Sequence, residues 1–213
     1  MVWKEFNQWA FPHARMLTYA EALVLLILAF VSADQRGFDA VELASNLGFL
    51  AFAYISFALL VTPLRKVRPT FSLNPTFAKA RRAAGVSAFV IAALHYLILF
   101  GFFFNGNLDA IFGFNANNGN ALVPAYGALL ILFLLALTST DYAVRKLGKK
   151  WFRLHKLAYL AYPFIAFHAW RVGNHFKELT LFSGLFFFVF ALTLLFELLR
   201  LWKERFQPAN SPM

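Results

Sequence analysis

Six apolar stretches, each 18 to 24 residues long, constrain this 213-residue chain more than any other feature. They run at Met16–Ala33, Leu43–Leu64, Ala83–Phe104, Ala121–Ser139, Trp151–Val172 and Leu179–Trp202. About 20 helical residues cross a hydrocarbon core roughly 30 Å thick. A backbone in lipid must satisfy its own hydrogen bonds, which leaves helices or closed barrels. The expected fold is an all-α integral membrane protein, a six-transmembrane-helix bundle forming one domain over residues 1–213. Composition agrees: 61% of residues are hydrophobic, 28 are Phe and only 14% are charged, whereas soluble domains average about 45–50% apolar residues. The chain has no cysteine, so disulfides, thiolate metal sites, iron–sulfur clusters and covalent heme attachment through CxxCH are excluded.

The stretches between the apolar segments read as loops. RKVRPTFSLNPTFAKARR holds Pro69 and Pro75, and NGNLDAIFGFNANNGN is rich in Asn and Gly. No internal repeat is present, and the loops are too short for a second domain. MVWKEFNQWAFPHAR carries Trp, Phe and Pro ahead of the first apolar run, and no A-x-A-like site closes that run, so a cleavable signal is not expected here.

Basic residues set an orientation. Seventeen of the 20 Lys and Arg residues fall on one side of the expected bundle, and only Arg36, Arg171 and Lys177 on the other. The positive-inside rule then places both termini in the cytoplasm, with segments 1, 3 and 5 running outward. It also assigns the net charge of +10 to topology and anionic lipid rather than to nucleic acid.

Histidines carry the chemistry. His13 and His175 read as exposed, while His95, His155 and His168 lie within spans. Ionisable groups at such depth are rare and usually face the bundle interior. A proton path usually enlists acids as well, but Glu21 and Glu197 sit near the inner ends of their segments. A zinc or copper site needs its ligands at one depth. Heme fits, because neutral imidazole is a standard axial ligand.

Thirteen residues separate His155 from His168, about 20 Å at 1.5 Å per residue. His95 follows Arg82 by 13 positions, which puts it at the depth of His168. His95 and His168 therefore pair as axial ligands of an outer heme. His155 is left at the inner level, opposite Arg81 and Arg82. On a straight helix His155 and His168 point about 140° apart, and Pro163 between them is a candidate kink. Arg81 shares a face with His95 and can extend toward an inner heme propionate.

Three sequence patterns carry a family resemblance: LLVTPLRKV at Leu59–Val67, ARRAAG at Ala80–Gly85 and ALHYL at Ala93–Leu97. A longer one, LTSTDYAVRKLGKKWFRLHKLAYL at Leu137–Leu160, is followed by His168. From Gly48 to Gly173 the chain resembles the ferric-reductase-like transmembrane domain shared with NADPH oxidases. More closely it resembles the MsrQ (YedZ) family, the heme-binding membrane subunits of the bacterial periplasmic methionine-sulfoxide reductase system. The resemblance implies an electron-transfer subunit of the bacterial inner membrane rather than a complete enzyme. Electrons would pass from a cytoplasmic or membrane donor to a periplasmic molybdopterin-containing methionine-sulfoxide reductase. It implies heme b, with two hemes expected. His95 and His168 would hold the outer one and His155 the inner one, with Arg81 standing where the wider family has a fourth histidine. Arg81, Arg82, Arg153 and Lys156 are the expected propionate or donor-side contacts.

No GxGxxG or other dinucleotide signature occurs, so the expected donor is a separate flavin reductase, reduced flavin or membrane quinol. The basic inner face offers a dock for a phosphate-bearing flavin such as FMN. Two rival readings stay open: an outer-face ferric or oxygen reductase using the same hemes, and a non-redox membrane protein with structural histidines.

Overall fold

The computed structural model describes residues 2–34, 37–173 and 181–206. Arg36, His175, Lys177 and the first two residues of the sixth expected span lie outside them. The described chain is wholly helical, in keeping with the all-α expectation.

Helix α1 (Val2–Asp34) begins well before the expected first span and runs unbroken through Pro12. Its first turns rest on the start of α3. Asn7 Nδ2 donates to the Ser72 carbonyl at 2.7 Å, and the Lys79 ammonium lies 4.6 Å from the centre of the Phe11 ring. Helix α2 (Ala40–Val67) starts at Asp39, whose carboxylate accepts from the backbone N–H groups of Val41 and Glu42; this satisfies two otherwise orphaned donors. Arg65 and Lys66 in its last turn complement the helix dipole. Along its most apolar stretch α2 is 56% buried, against 22% for the helical span Asn74–Phe103, 17% for α1 and 11% for Ser183–Phe206, so α2 is the central helix.

Helix α3 (Asn74–Ile98) opens with Pro75 in its first turn, where the missing N–H costs nothing. The expected loop after α2 is therefore helical from Asn74 onward. A π-helical turn, Leu99–Phe103, extends α3. The connection that follows also departs from the expected loop. Asn107 caps α4 (Leu108–Asn117) by accepting from Ala110 N–H, and Gly119 and Asn120, both at positive φ, then turn the chain by 118° into α5 (Leu122–Leu137).

The connection after α5 is helical too. Thr140 caps α6 (Asp141–Leu147) through its hydroxyl, and Gly148 at φ +49° ends it. The expected fifth span is two helices, α7 (Lys149–His155) and α8 (Ala158–Val172). The break falls at Lys156–Leu157, and α8 passes through Pro163 without interruption. At the break the N–H groups of Lys156, Leu157, Tyr159 and Leu160 each bond to a carbonyl three residues back, the tighter 3₁₀ pattern. Helix α9 (Leu181–Phe206) closes the described chain.

Helix α2 packs against α3, α8 and α9; α1 packs on α3, and α5 bridges α3 and α8. At one end Asp141 pairs with both Arg15, at 3.2 Å, and Arg82, at 2.5 Å. Lys203 donates to the Lys66 carbonyl at the same end. Arg15, Arg82, Lys66 and Lys203 thus meet at one end of the bundle.

Four described helices are long and apolar enough to cross a membrane, or five if the bent α4–α5 pair is one span. The six-segment expectation therefore resolves into four unbroken helices, one bent pair and one divided segment. Helices α5 and α8, with 16 and 15 residues, are each shorter than the roughly 20 residues of a full crossing.

Candidate functional site

A cavity of about 300 Å³ opens inside the bundle, lined by α2, α3, α5 and α8 and by Phe103, Phe104, Phe114 and Phe186. Its wall is almost entirely aliphatic and aromatic. His95 from α3 and His168 from α8 both face it. Their ring centres lie 6.3 Å apart with the planes at 83°, so the fold brings these two residues together.

Each ring is held through the same nitrogen. His95 Nδ1 lies 2.6 Å from the Ala44 carbonyl of α2, and His168 Nδ1 lies 3.3 Å from the Ala121 carbonyl at the start of α5. A carbonyl can only accept, so each Nδ1 carries the proton and each Nε2 keeps its lone pair. Two half-buried imidazoles with unprotonated Nε2 atoms can serve as a donor pair for a metal ion. Among the described residues, no group of three or more His, Asp or Glu side chains forms a closed metal cage.

The approach of His95 depends on Gly48. A Cβ at that position would sit 3.2 Å from His95 Nδ1 and 3.3 Å from Cε1. Ala44 and Gly48 are four residues apart and share one face of α2, a small-xxx-small spacing that lets neighbouring elements approach closely. That spacing in ASNLG is a usable sequence signal. Gly48, Ala44 and Ala121 are nevertheless absent from the site residues expected from the sequence.

His155 is set apart from this pair. At the end of α7 its ring stacks on Trp151 at 3.8 Å, and its Nε2 lies 3.1 Å from Thr138 Oγ1. Thr138 already donates its hydroxyl proton to the Leu134 carbonyl at 2.8 Å, so the imidazole N–H is the donor in this contact. The tautomer is thus the reverse of that at His95 and His168.

The four cations expected at this level differ in placement. Arg81 donates to Thr62 Oγ1 at 2.7 Å and lies within electrostatic reach of Tyr159, Arg65, Arg200 and Glu197. Arg82 is taken up by Asp141, while Arg153 and Lys156 are exposed. His13 is exposed as expected, with Nδ1 against the Trp9 carbonyl at 3.0 Å.

Residues 47–166 match the ferric reductase like transmembrane component family, a stretch that includes α3, α5, His95 and His155. The chain belongs to this family of ferric-reductase-like membrane components. Among curated relatives it is 32% identical over 155 residues to the protein-methionine-sulfoxide reductase heme-binding subunit MsrQ of Brucella ovis, covering 71% of this chain and 68% of the relative. The MsrQ subunits of Brucella canis and Brucella suis match to the same extent. No solved structure matches the chain.

Proposed function

We propose that the chain is a transmembrane electron carrier that holds a b-type heme between His95 and His168. The observation that carries this proposal is the separation of the two rings. A bound imidazole nitrogen lies about 2.0–2.1 Å from a transition metal and the ring centre about 1.1 Å beyond, so two rings on opposite sides of one ion have centres about 6.2–6.4 Å apart. The measured 6.3 Å falls within that interval. Three further features fit a porphyrin: the aromatic wall, the shared Nδ1 anchoring and the lining by four helices. A bound heme supplies one-electron chemistry, cycling between ferric and ferrous iron. The chain's own residues orient the two imidazoles through backbone carbonyls and keep the cavity wall apolar.

In this reading the bundle crosses a bacterial inner membrane six times, with α4–α5 as the fourth span and α7–α8 as the fifth. The basic end is cytoplasmic. Electrons enter there from reduced flavin, a flavin reductase or a quinol. They leave at the opposite end to a methionine-sulfoxide reductase, the partner that the names of the Brucella relatives give; a periplasmic, molybdopterin-containing enzyme is the form of it we propose. The basic segments give the donor end a positive field.

The surroundings of His155 do not repeat the outer arrangement. They offer a single imidazole whose Nε2 donates to Thr138 and whose face is covered by Trp151. The proposal accordingly rests on the His95–His168 pair and routes no step through a second heme.

The deciding measurement is a visible spectrum with a heme-to-protein ratio, taken on the protein purified from membranes. A b-type Soret band is expected, and it should be lost in both His95→Ala and His168→Ala. A purified, well-folded protein without that band would end the heme reading. In His155→Ala, a partial loss of Soret absorbance would count a second heme, and an unchanged ratio would count one.

A further inference from the structure

A b-type heme brings two carboxylates as well as an iron. An ionised carboxylate in an apolar, membrane-embedded cavity must be met by hydrogen-bond donors or by positive charge. No Lys or Arg lines the described wall of this cavity. Besides the two histidines, its only hydroxyl-bearing or otherwise polar lining side chains among the described residues are Ser45, Tyr96 and Tyr126.

Resting on the heme reading above, we propose that Tyr96 and Tyr126, with Ser45 of the same cavity wall, form the carboxylate-binding subsite of the cavity.

The three come from three helices and gather toward one end. Ser45 is five residues from the start of α2, and Tyr126 is four residues from the start of α5. Both helices begin at the end opposite the basic cluster. Tyr96 directly follows His95 on α3. The Tyr96 and Tyr126 rings meet edge to face at 5.7 Å. Tyr126 is 40% exposed, so it spans the distance from cavity to surface, as a residue holding a polar group at a cavity mouth must. Packing alone does not call for these hydroxyls. The chain has 28 Phe and 7 Tyr, and the rest of the aromatic lining of this cavity is Phe. Two phenols and an alcohol offer up to three O–H donors, and O–H···O⁻ bonds are among the stronger hydrogen bonds available to a carboxylate.

The test uses the full-length, detergent-solubilised protein. Tyr96→Phe, Tyr126→Phe and the double variant keep both rings and remove only the hydroxyls. Tyr54→Phe is the control, because Tyr54 is buried on α2 and does not line the cavity. The double variant should keep the bis-imidazole spectrum. In its resonance Raman spectrum the porphyrin carboxylate bending mode should shift. Its midpoint potential should fall, because carboxylate charge left without donors favours ferric iron. Transfer of heme to apomyoglobin should become at least about tenfold faster, tenfold being the effect of losing one of the two charge-assisted hydrogen bonds. Tyr54→Phe should leave all three readouts unchanged. Should the double variant retain heme with an unshifted carboxylate mode and an unchanged potential, the subsite is overturned while the heme reading stands. Absence of a Soret band from the unsubstituted protein overturns both.

Discussion

Gly48 shows how a residue with no side chain sets the chemistry of one that has it. With His95 Nδ1 only 3.2 Å from the place a Cβ would occupy, Gly48→Ala should push the imidazole by a few tenths of an ångström. The bulkier Gly48→Val should cost about 1–3 kcal/mol as overpacking. Heme retained per protein should therefore fall in the order Gly, Ala, Val, measured by pyridine hemochromogen assay. Equal heme content in all three would show that the ring does not depend on this approach. The sequence announces His95 and His168 clearly, since imidazoles in apolar segments are conspicuous and their depth follows from counting residues. It announces their supports poorly. Ala44 and Ala121 act through backbone carbonyls, so nothing in their side chains marks them. The tautomer of His155 is hidden for a similar reason: it is fixed by Thr138, whose own proton is committed within α5.

At the scale of elements, the apolar segments were legible and their interruptions were not. Hydropathy reports length and lipid compatibility, and Met16–Ala33 and Leu43–Leu64 both fall inside unbroken helices. It is silent on local caps. Asn107, Thr140 and Asn74–Pro75 each start a helix where polarity and turn-forming residues read as loop. Pro163 misleads in the opposite direction. Its missing N–H and ring make it the natural candidate for a bend, yet α8 is continuous through it and the break falls seven residues earlier. Pro163→Ala should accordingly leave the Soret maximum and midpoint potential unaltered. A displaced spectrum in that variant would mean that proline, rather than the packing of α8 on α5, aims the His168 ring.

For the whole molecule, the testable quantity is sidedness. The basic segments converge at one end through Asp141 and its two arginines, while α4 and its Asn-rich turn lie at the other. The chain has no cysteine, so single cysteines can be introduced without background. A cysteine replacing Lys146 should react with an impermeant maleimide only after the cytoplasmic face is opened, and one replacing Asn117 should react in intact spheroplasts. Labelling of both from the same side would contradict the proposed crossing pattern. The interruption at Lys156–Leu157 has a mechanical consequence on this scale. A continuous helix would turn His155 and His168 as one rigid rod, so a donor docking at the basic end would also twist the ring at the far end. With a short run of 3₁₀ bonds between them, a geometry that often marks a hinge, α7 can tilt while α8 stays seated on α5. A joint of that kind would act as a flexible coupling, insulating the far imidazole from whatever arrives at the near one.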